Sequence, residues 1–324
     1  MTTHRGIKAY RGAPGQHDSR LIAAALRGLR STPKQLSAAF LYDERGSYLF
    51  ERICELPEYY ITRTETQILM DNAAAIARLI GEQALLVELG SGASTKTRLL
   101  LDQLSALTAY VPVDISRSHL LEASTRISEA YPQLEVLPVC ADFTQPFLLP
   151  EPRRRAQRVV VFFPGSTIGN FDPPAALGLL RLMRRIAGVH GALLIGFDLV
   201  KDPAVLERAY NDRAGVTAAF NLNVLARLNR ELQASFELGA FRHEAPWNAT
   251  ASRIEMHLVS RREQWVLLAG EPIGFAAGER LVTEHCHKYT LESFAALATA
   301  AGWRASQAWN DPDGYFQVQY LNGC

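Results

Sequence analysis

The sequence predicts an α/β protein whose central parallel sheet is covered by helices on both faces. Between residues 84 and 200, short apolar runs of strand type alternate with helical segments, which is typical of such a sheet. Near the end of the chain, two further strand-like runs flank the turn sequence DPDG (311–314), and this pattern predicts an antiparallel hairpin. The 324 residues also leave room for a second domain.

The individual elements follow from the apolar periodicity of each segment. Strands are predicted at 84–90, 109–114, 135–143, 158–165 and 191–200, and helices of the core at 97–107, 116–130, 175–187 and 291–301. Thr62 and Glu65 have the spacing of a capping box, so we expect them to open a long helix that runs to about Ile80.

The alternation of strand and helix stops between residues 201 and 287, where helical segments come first and strand-like runs follow. We therefore predict a core domain of residues 61–200 and 288–324 and a second, α+β domain of residues 1–60 and 201–287. A five-stranded parallel core that ends in an antiparallel hairpin is the layout of the class I SAM-methyltransferase fold, which is Rossmann-like. The second domain is then expected to bind the substrate.

Composition and charge exclude several classes of function. The formal net charge is +1, from 34 Lys and Arg against 33 Asp and Glu, and no basic stripe suggests a nucleic-acid partner. No apolar run approaches the ~18 residues of a membrane span, and the polar N-terminus does not resemble a signal peptide. The four cysteines lack paired spacing and are expected to be free thiols. We expect a monomeric, cytoplasmic protein that binds neither nucleic acid nor membrane.

The glycine loop after the first core strand suggests a nucleotide-like ligand. Glu88, Gly90 and Gly92 follow an E-x-G-x-G pattern there, and glycines let the backbone turn tightly and approach a ligand. The pattern is a weak signal alone, and the third glycine of a dinucleotide site is missing near Thr95. Its absence suits S-adenosylmethionine (SAM), which has no pyrophosphate to seat on a helix N-terminus.

Two further strand ends strengthen the expectation of a SAM site. Asp114 ends the second strand, where its carboxylate can accept from both ribose hydroxyls, although capping the next helix is an alternative role. Asp142 ends the third strand, where it can accept from the adenine amino group, with Phe143 lying on the adenine ring. Three ligand-capable groups at successive strand ends together predict SAM binding.

Several segments closely resemble the histidine-specific SAM-dependent methyltransferases, from Tyr42 to the final hairpin. These segments are LPEYYITRTE (56–65), VELGSGASTKTR (87–98), FPGSTIGNF (163–171), RAYNDRAGVTAAFNLNVLARLNREL (208–232), RIEM (253–256) and TEHCHKY (283–289). Enzymes of that family convert histidine to its trimethyl betaine, hercynine, in ergothioneine biosynthesis. The resemblance implies SAM as cosubstrate and a free amino acid, L-histidine, as substrate. No metal is expected, because no cluster of ligand residues with metal-site spacing appears in the sequence.

The resemblance also implies roles for residues at the reacting end of the amino acid. Asn170 is implied to bind the α-amino and carboxylate groups, which suits an amide that offers both donors and an acceptor. Tyr210 is implied to hold the carboxylate, and Tyr59 to lie near the amine, although most tyrosines have a packing role. Tyr59 and Asn170 are the implied catalytic residues. Further implied residues are Phe50, Gly165, Thr217 and Met256 for the substrate, and Tyr42, Ser91 and Lys96 for SAM.

Side-chain selection is implied to depend on Glu284 and Cys286, which alternate on a strand and so face the same space. The glutamate accepts a hydrogen bond from the imidazole in the family, and Met256 packs on that ring. Family members usually carry Ser where this chain has Cys286, and a thiol is a weaker hydrogen-bond partner. His285 and His287 flank Cys286, but contiguous strand residues point to opposite faces, so the three are not expected to bind one metal.

Two alternatives stand beside histidine methylation. The same chemistry on another free amino acid, tryptophan or tyrosine, is the nearer one. A non-catalytic SAM-binding module is the other, but such a module needs no amino-acid pocket, so Asn170, Tyr59 and Tyr210 speak against it.

Overall fold

The computed structural model describes residues 10–11, 17–92 and 94–324. The α-helices in these residues are α1 (His17–Leu29), α2 (Glu44–Cys54), α3 (Tyr60–Ile80), α4 (Thr95–Leu101), α5 (Arg117–Ala130), α6 (Pro173–Ala187), α7 (Pro203–Tyr210), α8 (Val216–Leu232) and α9 (Leu291–Ala300). Short 3-10 helices lie at Ala38–Leu41, Thr167–Asn170 and Leu238–Ala240. Within this described part, no helix combines the length and the apolar character that a membrane crossing requires.

The β-strands are numbered along the chain in the same way. They are β1 (Tyr10–Arg11), β2 (Lys34–Gln35), β3 (Ala84–Leu89), β4 (Ala109–Asp114), β5 (Val139–Cys140), β6 (Arg158–Phe163), β7 (Ala192–Asp198), β8 (Phe241–Glu244), β9 (Trp247–Asn248), β10 (Arg253–Ser260), β11 (Gln264–Leu268), β12 (Glu271–Phe275), β13 (Arg280–His287), β14 (Trp303–Asn310) and β15 (Phe316–Gly323).

The described chain divides into two compact units. The first comprises β1, Ile61–Val200 and Tyr289–Cys324, and the second comprises residues 17–60 and Lys201–Lys288. These bounds differ from the predicted domains in two places, because Lys288 falls in the second unit and β1 pairs within the sheet of the first. The part of the domain prediction that concerns residues 1–9 and 12–16 lies outside the described residues.

The first unit contains an eight-stranded sheet in the order β1-β5-β4-β3-β6-β7-β15-β14. Every pair from β1 through β7 is parallel, whereas β15 is antiparallel to both β7 and β14. The class I methyltransferase layout predicted from the sequence is therefore confirmed, including its closing hairpin. This topology brings the carboxyl ends of β3, β4, β5 and β6 to one edge of the sheet.

Helices cover the sheet of the first unit and bury its central strands. All six residues of β3 are buried, as expected of a parallel strand with both faces covered. α6 opens with Pro173, whose missing N–H has no intrahelical partner to lose at a helix start. Trp303 of β14 is fully buried and donates from Nε1 to the carbonyl oxygen of Leu180 in α6, at 3.0 Å. This bond ties the hairpin to the helical layer.

The third core strand is much shorter than predicted. β5 has two residues, although Tyr110 of β4 still exchanges backbone hydrogen bonds with Glu135 and Leu137 just before it. Pro138 lies between these contacts and β5 and has no N–H to donate to the ladder. The proline therefore interrupts a strand whose apolar pattern is continuous.

The capping box predicted at Thr62 and Glu65 is wrong. α3 begins at Tyr60, so both residues lie inside the helix, where their side chains cannot cap its N-terminus. Glu65 is fully buried, and its Oε2 accepts from the Gly165 N–H at 2.8 Å and from Lys96 Nζ. The glutamate thus joins α3 to α4 and to the loop after β6.

The second unit is built on a smaller sheet of different topology. Its strand order is β2-β13-β10-β8, with β9 also paired to β10, and β11 and β12 form a separate hairpin. β10 and β13 are antiparallel, whereas β2 pairs in parallel with β13. Segments from both ends of this discontinuous unit therefore share one sheet.

Gly196 in β7 leaves the space that the buried carboxyl group of Glu65 occupies. A Cβ at this position would lie 1.9 Å from Glu65 Oε1 and 2.8 Å from Phe316 Cε1. Because Lys96 and the Gly165 N–H fix the other carboxyl oxygen, the glutamate cannot turn away freely. Gly196→Ala should therefore lower the free energy of unfolding by about 1–3 kcal/mol, measured by urea denaturation.

Gly178→Ala is the matched control for this change. Gly178 lies on the exposed side of α6, and a Cβ there would have no described atom within 4 Å. This substitution should raise the free energy of unfolding by about 0.5–1 kcal/mol, because alanine restricts the unfolded chain. Unchanged stability of the Gly196→Ala variant would contradict tight packing of Glu65 against β7.

Candidate active site

The glycine loop after β3 is held by the end of β4. Gly90 and Gly92 have φ angles of +72° and +49°, which an L-residue adopts only with strain. Asp114 accepts from the Gly92 N–H through Oδ2 at 3.0 Å and from the Ser116 N–H through Oδ1 at 2.9 Å. The carboxylate thus fixes the loop backbone, and Ser116 rather than Asp114 is the N-cap of α5.

The same loop offers room and polar groups to a ligand. Ser91 Oγ is buried and has no hydrogen-bond partner among the described residues. A Cβ on Gly92 would have no described atom within 4 Å, and one on Gly90 would meet the Phe143 ring at 3.5 Å. An unpaired hydroxyl, a nearby carboxylate and an open backbone fit a polar nucleoside such as that of SAM.

Glu88 lies beneath this loop and makes its bonds within the protein. Its Oε2 accepts from Thr97 Oγ1 at 2.6 Å and from the Tyr110 hydroxyl. Burial raises the pKa of Glu88 to about 7, although the hydrogen bonds from Thr97 and Tyr110 and the charge of Lys96 lower it. The predicted contact of Glu88 with SAM stays a prediction.

Asp142 and Phe143 follow β5 at the same sheet edge. Asp142 Oδ1 accepts from the Thr144 N–H at 2.9 Å and from Thr144 Oγ1 at 2.6 Å, so it closes a local turn. The Phe143 ring contacts Phe163 and Phe171 edge-on, with centroids 5.6 and 6.3 Å apart. The Phe143 ring lies close to the glycine loop, 3.5 Å from a Cβ built on Gly90, whereas the adenine contact of Asp142 stays a prediction.

The loop after β6 carries two of the predicted substrate residues of the first unit. Gly165 has a φ of +82° and donates its N–H to Glu65, which also binds the predicted SAM residue Lys96. Asn170 ends the 3-10 helix Thr167–Asn170 that follows this turn. One buried glutamate thus links a predicted cofactor residue to the loop of a predicted substrate residue.

Five aromatic side chains of the second unit form a cluster that contains several predicted site residues. Tyr59 contacts Phe50 and Tyr210 edge-on, with ring centroids 6.2 and 6.0 Å apart. Tyr42 contacts Phe50 and Phe220 in the same manner, at 5.7 and 5.6 Å. The structure therefore brings together the predicted residues Phe50, Tyr59 and Tyr210. It also adds Tyr42, which was expected on the cofactor side.

Met256, Glu284 and Cys286 share one face of the second-unit sheet, as strand alternation predicts. Met256 of β10 pairs directly with Glu284 of β13, and all three side chains are buried. The Cys286 thiol donates to Glu284 Oε2 at 3.3 Å. Thr217 is buried in the first turn of α8, where its N–H donates to Asp212.

The carboxyl group of Glu284 has an unusual acidity because of its position. Burial raises the pKa of Glu284 to about 7, while a bond from Cys286, the charge of Lys288 and a bond from Tyr42 lower it. Burial, followed by the charge of Glu284, also raises the pKa of the Tyr42 hydroxyl. A carboxyl group whose pKa lies near neutral pH can accept a hydrogen bond from a ligand N–H when it is ionised and can donate one when it is protonated.

Lys288 is a residue of this region that the sequence analysis missed. It is only 3% exposed, and its Nζ donates to the Tyr210 hydroxyl at 2.8 Å. The signal was present in the sequence, because Lys288 continues the alternation of Glu284 and Cys286 by one more step of two.

Comparison with known proteins identifies the family. The profile of the family described as "Histidine-specific methyltransferase, SAM-dependent" matches residues 21–323. The chain belongs to this family. SAM is therefore its methyl donor, and the contacts of SAM with the glycine loop, Asp114 and the turn after β5 stay predictions.

Relatives of this histidine-specific methyltransferase include curated bacterial and fungal proteins. Histidine N-alpha-methyltransferase of Mycolicibacterium smegmatis is 45% identical over 295 residues, 89% of this chain and 90% of that protein. Histidine N-alpha-methyltransferase of Mycobacterium tuberculosis is 43% identical over 294 residues, again 89% and 90%. Ergothioneine biosynthesis protein 1 of Neurospora crassa is 32% identical over 87% of this chain and 32% of that longer protein.

The cofactor side of this methyltransferase can be tested at Asp114. Asp114→Ala should weaken SAM binding by roughly 2–3 kcal/mol, because charge-assisted hydrogen bonds to the ribose hydroxyls are lost. Isothermal titration calorimetry with SAM measures the change. Asp114→Asn should lose less, since its amide oxygen still accepts from the Gly92 N–H.

Asp71→Ala serves as the control, because Asp71 accepts from Gln67 on the exposed side of α3. Its SAM affinity should equal that of the wild type. Unchanged SAM affinity in the Asp114→Ala variant would remove Asp114 from the cofactor site.

Proposed function

We propose that this enzyme transfers methyl groups from SAM to the α-amine of free L-histidine and forms the trimethyl betaine hercynine. The observation that carries the proposal is the buried carboxyl group of Glu284, placed beside Met256 and Cys286. An imidazole N–H adds a further hydrogen bond to this buried carboxyl group, whereas an apolar side chain would cover the group without offering a donor, at a cost of about 1–3 kcal/mol.

The names of the relatives support the same substrate. Two curated relatives that align over nine-tenths of their length are histidine N-alpha-methyltransferases, and a third is an ergothioneine biosynthesis protein. We extend histidine as substrate, and ergothioneine synthesis as the use of the product, from these proteins to this chain.

At the reacting end we assign Asn170 to the α-amino and carboxylate groups and Tyr210 to the carboxylate. Tyr59 is assigned to the neighbourhood of the amine, and Phe50, Gly165 and Thr217 to the walls of the site. The clustering of Phe50, Tyr59 and Tyr210 in the second unit supports this assignment.

The chemistry requires a neutral amine, although an α-amino group near neutral pH is mostly protonated. The proton leaves to water or past the Tyr59 hydroxyl, and the free amine then attacks the methyl carbon of SAM, whose bond to sulfur breaks to release S-adenosylhomocysteine. Holding the two about 3 Å apart and in line supplies most of the acceleration. Each transfer leaves one positive charge on the nitrogen; loss of a proton removes it before the next transfer, and the third transfer makes it permanent. The Tyr59 and Tyr210 rings, 6.0 Å apart, can stabilise that charge.

The proposal also covers the cellular compartment, the oligomeric state and the metal requirement of the enzyme. All four cysteines, Cys54, Cys140, Cys286 and Cys324, are free thiols, which suits a reducing compartment such as the cytoplasm. We further propose that the enzyme acts as a monomer and that its residues need no metal ion for this transfer.

The proposed substrate is tested by supplying SAM with a mixture of free amino acids and weighing the products. Mono-, di- and trimethylated histidine should appear, with no methylated leucine or phenylalanine. Asn170→Ala should abolish turnover while calorimetry shows SAM affinity within about twofold, because only the amino-acid end loses its partners. A betaine of another amino acid, formed without methylated histidine, would overturn the proposal, and absence of any methylated product would favour a non-catalytic SAM-binding protein.

Cys286 provides a second test at the side-chain end. Cys286→Ser should strengthen histidine binding by up to ~1 kcal/mol, because a hydroxyl makes a better hydrogen bond than a thiol. The dissociation constant of histidine, measured in the presence of S-adenosylhomocysteine, reports the change. Cys140→Ser, in β5 of the first unit, is the control and should leave histidine binding unaltered. Weaker binding in the Cys286→Ser variant would contradict a polar contact at this position.

A further inference from the structure

A line of hydrogen bonds crosses the second unit from a buried cation to a buried anion. Lys288 Nζ donates to the Tyr210 hydroxyl at 2.8 Å, and the ammonium also lies 4.8 Å from the centre of the Tyr210 ring. Tyr210 is hydrogen-bonded to the Cys286 thiol, which in turn donates to Glu284 Oε2 at 3.3 Å. All four side chains are at least nine-tenths buried.

The two ends of this line determine the direction of every bond in it. An ammonium group can only donate, and a carboxylate can only accept. Tyr210 therefore accepts from Lys288, and its own hydrogen is left for an acceptor, which is Cys286 in this structure and the amino-acid carboxylate in the proposed complex. The Cys286 S–H points at Glu284. The Lys288 ammonium thus orients the Tyr210 hydroxyl, and its charge favours the ionised form of Glu284.

The groups that act on the Glu284 carboxyl group include one cation, the ammonium group of Lys288. Tyr42 and Cys286 reach the carboxyl group by hydrogen bonds, and Lys288 acts on it through its charge. Four further titratable groups of β10 and β13 project from the opposite face of the sheet: Glu255, His257, His285 and His287. The pKa of Glu284 is raised because burial outweighs the stabilisation of its negative charge by Cys286, Lys288 and Tyr42. Loss of the Lys288 charge would therefore favour the protonated acid further.

We propose that Lys288 is a positioning residue of the amino-acid site, which orients the Tyr210 hydroxyl and keeps Glu284 a carboxylate that accepts the imidazole N–H. The proposal rests on the proposed function, because it concerns how histidine is held. Both ends of the amino acid, carboxylate and imidazole, then depend on the same buried ammonium. Removal of that charge should impair histidine binding in a pH-dependent way, while the affinity for SAM should stay unchanged.

Lys201 provides a matched comparison within the same unit. Its Nζ donates to the Tyr60 hydroxyl at 2.7 Å and lies 4.7 Å from the centre of that ring, so the pair resembles Lys288 with Tyr210. Lys201 is not among the groups that shift the pKa of Glu284. If breaking any lysine–tyrosine contact impaired the enzyme, substitution of either lysine would show the effect. The proposed effect is expected only when Lys288 is replaced.

The experiment compares wild type, Lys288→Met and Lys201→Met by steady-state kinetics with histidine from about pH 6 to about pH 9, at saturating SAM. Lys288→Met should raise the KM for histidine about tenfold or more at pH 7, with SAM affinity within about twofold. Its histidine affinity should recover at higher pH than that of wild type, because Glu284 then ionises only in more alkaline solution. The protonation of free histidine is the same in the assays of every variant, so it does not affect the comparison of their pH profiles. Lys201→Met should keep the wild-type profile.

Two further variants separate charge from hydrogen bonding and from folding. Lys288→Arg keeps a cation and should restore most of the pH profile. Lys288→Gln keeps a donor for Tyr210 without charge, so it should show the same alkaline displacement, and it replaces the Met variant if that one fails to fold. Unchanged KM and pH profile in the folded neutral variants, or an equal displacement in Lys201→Met, would overturn the role of Lys288. Wild-type methylation of histidine in the same assay would leave the proposed function standing in either case.

Discussion

Burial of the Glu284 carboxyl group is the constraint around which the second unit is arranged. Removing a carboxylate from water costs several kcal/mol unless other groups replace the lost hydration. The protein supplies donors from Cys286 and Tyr42 and a cation from Lys288, yet burial still raises the pKa to about 7. A site with these properties retains affinity for one more N–H donor. The imidazole of histidine offers such a donor, whereas leucine and phenylalanine do not.

In the first unit, the sheet topology brings the predicted cofactor residues together. Parallel strands end at one edge of the sheet, so the glycine loop, Asp114 and the turn after β5 meet there, and Asp114 holds the loop through the Gly92 N–H. Glu65 then joins α3 to Lys96 and to the loop that precedes Asn170. One buried glutamate thus braces α4 and the loop after β6, which carry the proposed SAM residue Lys96 and the proposed substrate residue Asn170.

Much of this arrangement could be predicted from the sequence because it depends on local periodicity. Strand and helix alternation gave the parallel core and its hairpin, and alternation by two placed Glu284 beside Cys286. Long-range partners left no local trace. Glu65 has the spacing of a capping box, and only the tertiary structure shows that Lys96 and Gly165 bind it instead. Periodicity likewise could not predict the contact between Lys288 and Tyr210, which lie 78 residues apart in the sequence.

Specific recognition of an imidazole N–H is the central claim, and equilibrium binding of two isosteric amino acids tests it most directly. β-(2-Thienyl)alanine has a five-membered aromatic ring like that of histidine but no ring N–H. Dissociation constants of both, measured calorimetrically at neutral pH with S-adenosylhomocysteine present, should differ by about 10- to 100-fold in favour of histidine, because the thiophene ring covers Glu284 without donating to it. Equal dissociation constants would contradict the account.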